Sequence, residues 1–387
     1  MDYKGKKILL LDGYGRQIPS ILHQLHQLGL IVTTINETAL DVGKTSRYPK
    51  KKIVVPGIRE DVAVYRKAII DELARNHYDV LFPILEKSTD ICTSGEIQTL
   101  YPDLKIIAAP REAFLKAYDK QQTMVACMEN GIPCPLTKLD NESLEEFLEK
   151  VKFPLAAKPR RGSGSAGFKK IHNRKELESY VTNGDIRLED YVIQEFIPQD
   201  KYMCNCYVMM DDDQNLMYSL ALKTYRWYPV DGGPGCFART VDQPIVTENA
   251  VKLFKSIGWS GFGQVSFMMD SRDNMPKVTE INGRISAGIK IMEYAGCTPV
   301  KYLLERAYGE KMVPKKDKIE EGLGLRYFHT DILWFLKNPN RWKAKPNWFD
   351  FRKSVDYIFS WEDPLPFFSY AIGHAKTYKK DMEKRQH

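Results

Sequence analysis

The sequence predicts a mixed α/β and α+β protein in three parts. Three observations carry this. Strand and helix patterns alternate from the start to about residue 112. A strand-rich stretch with glycine-rich loops follows over 113–312. Beyond it, over 313–387, lie four of the six tryptophans, at positions 334, 342, 348 and 361. A chain of 387 residues is also long for one hydrophobic core and divides naturally into domains.

In the first part, Lys6–Leu11 is a continuous apolar strand pattern, followed by a turn at Asp12–Gly15. Ile18, Ile21, Leu22, Leu25 and Leu28 recur at helical spacing, and Gly29 closes the helix. Further strands are expected at 30–35, 53–55, 79–83 and 105–109, with an amphipathic helix at 62–73. This rhythm means a parallel sheet with right-handed crossovers. Gly13 and Gly15 begin a dinucleotide fingerprint, but position 18 is Ile where its third glycine belongs, so the glycines are expected to make the turn.

In the second part a helix is expected over 114–130, ended by Asn130-Gly131, and a short one over 144–151. Phe153–Lys158 and Phe168–Ile171 are strands flanking a Gly/Ser loop, an arrangement that makes a hairpin. Strands follow at 192–197, 203–210 and 216–223, then a helix at 248–257. A hairpin pairs 263–270 with 277–282, and two helices cover 289–295 and 300–308. The four late tryptophans are expected to pack a small C-terminal unit onto the body, with a partner- or lipid-facing surface as the other reading.

Composition excludes several classes. Hydrophobic residues make up 43% and charged residues 28%, which is ordinary for a globular protein. No apolar run approaches the length of a membrane span, and the apolar run at the start is too short for an export signal. The net charge of +7 is mild, and the tail from Tyr378 to His387 mixes both signs, so no nucleic-acid partner is expected. Seven cysteines scattered singly argue for a reducing compartment, hence the cytoplasm, and Cys204 with Cys206 lacks the further ligands of a zinc site.

Three stretches carry chemistry. In the loop over 160–167, Gly162, Ser163, Gly164 and Ser165 let backbone N–H groups approach an anion, and Arg160 and Arg161 add charge. The same composition suits a flexible surface hairpin. Glu280 and Asn282 share one face of a strand, which suits a hard cation such as Mg²⁺, or else a polar strand end. Arg284 reaches the same side. Lys158 ends an apolar strand and can point into a cleft.

In this order the features resemble the ATP-grasp superfamily, in its carbamoyl-phosphate-synthase-like and carboxylate–amine ligase branches. The matching stretches are Asp119-Lys120 with Gly131–Pro133, the strand Phe153–Pro159, the loop Arg161–Gly167, the segment Gln194–Ile197 and the strand Glu280–Arg284. The resemblance spans roughly residues 1–312. It implies a Rossmann-like parallel-sheet domain ahead of the grasp over 1–112, a two-subdomain grasp over 113–312 with a mobile phosphate-loop subdomain at about 122–193, and the aromatic unit after it. It further implies that Lys120 and Lys158 contact ATP phosphates. Gln194, Glu195, Phe196 and Ile197 would line the adenine pocket, Glu280 and Asn282 would bind Mg²⁺ or Mn²⁺, and Arg284 would stabilise the transferred phosphoryl group.

Two positions depart from the family pattern. Lys201 stands where relatives place a ribose-binding Glu, and Ser266 stands where they place a further metal ligand, with Gln264 on the same face as its substitute. The resemblance implies an ADP-forming ligase that activates a carboxylate as an acyl phosphate for attack by an amine. Arg226 and Arg239, beside the loop Tyr228–Gly235, are the candidates for gripping the acid. The alternatives are a carbamoyl-phosphate-type or kinase-like enzyme acting on a small acid, and a degenerate nucleotide-binding module without turnover. Partners are small molecules, and a homodimer stays open.

Overall fold

The structure is a computed structural model that describes residues 2–162, 167–198, 201–230, 233–315 and 318–383. The first part contains β1 (Lys7–Leu10), α1 (Ile18–Gln27), β2 (Ile31–Asn36), α2 (Val42–Thr45), β3 (Lys51–Val54), α3 (Val62–Arg75), β4 (Val80–Phe82), α4 (Glu86–Cys92), α5 (Glu96–Leu100) and β5 (Lys105–Ile106). The strands form one parallel sheet ordered β3-β2-β1-β4-β5. Its central strand is apolar on both faces: Ile8 and Leu10 enter one core, Leu9 and Leu11 the other. Double-sided burial explains why this strand reads as an unbroken apolar run. Gly13 is needed for close approach, since a Cβ there would lie 2.0 Å from Asn36 Oδ1.

The next segment holds α6 (Arg111–Tyr118), α7 (Lys120–Glu129), α8 (Leu144–Lys150), β6 (Leu155–Pro159), β7 (Lys169–Ile171), α9 (Arg174–Thr182) and β8 (Tyr191–Glu195). The single helix expected over 114–130 is two helices. Asp119 breaks it by adopting an extended backbone, and its carboxylate caps α7 through Gln121 N at 2.9 Å. The three strands form an antiparallel sheet ordered β7-β6-β8 over its own apolar core around Phe147, Leu155 and Leu177.

Then follow β9 (Met203–Met210), β10 (Leu216–Trp227), β11 (Gly235–Val241), α10 (Pro244–Ser256), β12 (Gly261–Met269), β13 (Pro276–Asn282), α11 (Ile289–Tyr294) and α12 (Pro299–Ala307). The chain ends with β14 (Gly324–Arg326), α13 (Phe328–Lys337), β15 (Ser354–Asp356) and α14 (Leu365–Glu383). A seven-stranded sheet runs β13-β12-β9-β10-β11-β14-β15. One face, with Cys204, Cys206, Val265 and Phe267, packs on α10 and α6 in an apolar core. Period-two alternation therefore sends Asn205, Tyr207, Gln264, Ser266, Glu280 and Asn282 to the other face.

The segment after residue 312, expected as a separate unit, continues this sheet. β14 pairs antiparallel with β11, and β15 parallel with β14. It also reaches the first part: Asp363 accepts from Ser46 Oγ at 2.5 Å, and Ser369 Oγ meets Thr45 Oγ1 at 2.8 Å. Trp334 and Trp348 are buried, whereas Trp342 and Trp361 are exposed, at 64% and 89%. No helix among the described residues is long and apolar enough to cross a membrane.

Candidate active site

The charged residues singled out around β6 and β13 converge. Lys120 opens α7 and is almost buried; its Nζ donates to Gly162 O at 2.7 Å and lies 4.0 Å from Glu280 Oε2. Lys158, near the end of β6, crosses to the second sheet and donates to Thr279 O at 2.8 Å. Burial pushes its amine down to about 8, against the attraction of Glu280 and with the repulsion of Lys120. Two amines therefore face one carboxylate between the three-stranded and seven-stranded sheets, with Gly162 at the start of the Gly/Ser loop beside Lys120. Such a surplus of cation fits a polyphosphate. Ser163, Gly164 and Ser165 lie outside the described residues.

The ladder fixes the candidate cation ligands. Glu280 stands opposite Ser266, and Asn282 opposite Gln264. Gln264 Nε2 donates to Asn205 Oδ1 at 3.0 Å and Ser266 Oγ at 3.3 Å, so its donor end is occupied. Among the described residues no three His, Cys, Asp or Glu side chains are placed so that they could hold a metal ion. A hard cation at Glu280 would thus draw its other ligands from amide oxygens and phosphate, a donor set that suits Mg²⁺. Arg284 extends from the same strand end. Its Nε donates to Glu86 Oε1 at 2.7 Å, and its Nη2 lies 3.4 Å from Asn282 Oδ1.

The segment at the end of β8 is more constrained than its sequence suggests. Gln194 is buried and donates to Thr137 Oγ1 at 2.7 Å. The Glu195 carboxylate accepts from Leu136 N at 3.0 Å and pairs with Arg272 at 2.7 Å and Lys277 at 3.5 Å. That carboxylate is thus engaged within the fold, and the backbone N–H groups of Glu195 and Phe196 donate to Leu136 O and Pro154 O. Lys170 sits over the Phe196 ring, 4.3 Å from its centroid, and Ile197 is buried. Lys201 is exposed.

Arg226, expected to grip the acid, is instead engaged inside the fold. Its side chain is 1% exposed and forks onto Asp331, with Nε–Oδ1 at 2.6 Å and Nη2–Oδ2 at 3.0 Å. Arg326 meets the same carboxylate at 2.6 Å. Arg239 is drawn the same way, to Asp350 at 2.9 Å. Both arginines belong to the joint between β10, β11 and the C-terminal segment. Residues 231 and 232 of the neighbouring loop lie outside the described residues. Arg160 is likewise taken by Asp119 and Asp140 rather than left for an anion. Sequence reasoning missed Glu86, whose partner lies 198 residues away; the only local signal was an acidic residue opening a helix just past the carboxyl end of β4.

The model of the ATP-grasp domain family matches residues 117–288. A D-alanine–D-alanine ligase of Thermoanaerobacter sp. (strain X514) is 25% identical over 284 residues, covering 66% of this chain and 78% of its own. The carbamoyl phosphate synthase large chain of Xylella fastidiosa (strain 9a5c) is 24% identical over 271 residues, 65% of this chain and 24% of that one. Among solved structures, the biotin carboxylase domain of Hydrogenobacter thermophilus 2-oxoglutarate carboxylase superposes with a TM-score of 0.68 at 16% identity, covering 82% of this chain and 73% of that one. At that identity the likeness establishes the fold.

Proposed function

Since the chain carries an ATP-grasp domain, we propose that it is an ATP- and Mg²⁺-dependent ligase that activates a carboxylate as an acyl phosphate for attack by an amine. One observation supports this above the others: Lys120, Lys158, Gly162 and Glu280 meet between the three-stranded and seven-stranded sheets. ATP would supply the phosphoryl group that turns an unreactive carboxylate into a good electrophile, with Mg²⁺ neutralising its charge.

The chain's own residues do the rest. Lys120 and Lys158 balance phosphate charge. Glu280 and Asn282 would hold the cation, with Gln264 beside Asn282 in the ladder. Arg284 stabilises charge on the phosphoryl group in transfer. Gly162 begins the loop that excludes water from the acyl phosphate.

The test is ADP release from Mg-ATP with pooled carboxylates, with and without pooled amines, and Glu280→Gln as control. ADP that needs both pools and vanishes in the control is expected. ADP with acids alone would favour a kinase-like or carbamoyl-phosphate-type reaction. Nucleotide binding without ADP in any pool would favour a binding module, the outcome that Ser266 in place of a metal ligand keeps open.

A further inference from the structure

We propose that Arg16 is a carboxylate anchor. On this reading it holds an acid group that one substrate carries apart from its reacting end. The proposal rests on the ligase reading above and names the substrate class.

The topology favours a site here. Strand order β3-β2-β1-β4-β5 reverses direction of winding between β1 and β4. Crevices at the carboxyl ends of parallel strands at such a switch point are where open α/β sheets take ligands. Arg16 lies in the turn leaving β1, just before α1.

The charge there is unmet. Arg16 is half-buried, yet among the described residues it makes no hydrogen bond and no ion pair. Its contacts are rings: the guanidinium carbon stands 4.6 Å from the Tyr327 centroid and 5.4 Å from the Tyr357 centroid. The arginines around it differ, since Arg284, Arg226, Arg239 and Arg326 each hold a carboxylate. A guanidinium laid on aromatic faces keeps its edge of N–H donors for a planar two-oxygen acceptor.

A second observation points the same way. Gln17, the next residue, is 4% exposed, and its Nε2 has no hydrogen-bond partner. Its amide lies against Gly15, where a Cβ would come within 2.9 Å of Oε1. A buried amide donor left unmatched is costly unless an acceptor completes it, and Gln17 follows Arg16 directly in the chain.

The site is near the proposed chemistry but separate from it. Tyr207, within electrostatic reach of Arg16, stands opposite Gln264, which stands opposite Asn282. All three share one face of the sheet. Two strand spacings put Tyr207 about 10 Å from Asn282. On this reading an anion at Arg16 is a group other than the one that receives phosphate. The geometry points to a bifunctional substrate, an amino acid or a dicarboxylic acid, whose second carboxylate is read by Arg16 and Gln17.

The experiment is a thermal-shift measurement on the full chain, with and without Mg²⁺ and a non-hydrolysable ATP analogue. The probes are acetate, succinate, glutarate, a set of L- and D-amino acids, and inorganic phosphate. Wild type is compared with Arg16→Met and with Arg16→Lys, which keeps the charge if the methionine variant folds poorly. A dicarboxylate or amino acid is expected to stabilise wild type, to lose its effect in Arg16→Met, and to need about tenfold more ligand in Arg16→Lys because an ammonium cannot fork. The nucleotide shift should survive in both variants. Stabilisation equal in wild type and variants, by phosphate alone, or by no probe at all would overturn the proposal. Loss of the nucleotide shift in wild type would instead strike the ligase reading, since the probes are also read without nucleotide.

Discussion

Arg284 Nε donates to Glu86 Oε1 at 2.7 Å across 198 residues of chain. The arginine at the end of the candidate metal strand is thus held by a carboxylate that opens α4, beside the parallel sheet, and both side chains are largely buried, at 19% and 13% exposure. That carboxylate therefore sets where the guanidinium points. Glu86→Gln keeps the shape and removes the charge. It is expected to lower kcat by about 10–100-fold, the scale of a misplaced electrostatic group. The dissociation constant for Mg-ATP should stay within twofold or so. Steady-state kinetics beside nucleotide titration checks this; a change confined to nucleotide affinity would refute a positioning role.

Lys158 gives a pH signature. Its amine, pushed down to about 8 by burial, is mostly protonated below that pH and neutral above it. Phosphate oxygens favour the charged form, so nucleotide binding raises the value and takes up a proton. Affinity for ATP should be steady below pH 8 and weaken as pH rises through it. Titrations from pH 7 to 9.5, with Lys158→Met as reference, test this; the variant should bind weakly without that pH dependence.

Glu37 gives a pH signature in stability. Burial, with Asp41 beside it, raises its carboxyl from 4.5 to about 7. A raised value means the folded state binds the proton more tightly than the unfolded state. Its stabilising contribution is full below pH 4.5 and is lost as pH rises to 7. Urea midpoints between pH 4.5 and 7.5 should show this fall, and Glu37→Gln should flatten it.

The Arg226–Asp331–Arg326 cluster is a matter of folding. Asp331→Ala leaves two buried guanidiniums facing each other and is expected to cost about 3–5 kcal/mol. Denaturant unfolding measures it. Arg226→Met should lower stability while the KM for the acid stays unchanged; a KM raised in the variant at full stability would restore Arg226 to the site.

What could be read in advance follows from range. The parallel sheet was legible because double-sided burial leaves apolar runs, as at Ile8–Leu11, and the β12–β13 hairpin because its two strands lie a turn apart. Lys158 and Glu280 were legible as strand-end charges beside glycine. The fate of Arg226 was not, since its partner lies 105 residues on and nothing local marks a strand-borne arginine as buried. β14 escaped because three residues carry no periodicity. The helix expected over 114–130 failed at Asp119, whose capping role depends on the bend that lets Arg160 reach it. α9 was missed because it buries a single side chain, Leu177.

The most direct test of the ligase account follows oxygen. Carboxylate substrate labelled with ¹⁸O is turned over with Mg-ATP and amine, and the released inorganic phosphate is analysed by mass spectrometry. Activation as an acyl phosphate transfers one carboxylate oxygen to phosphate when the amine attacks, so labelled phosphate is the expected result. ADP and product formed with unlabelled phosphate would contradict the account.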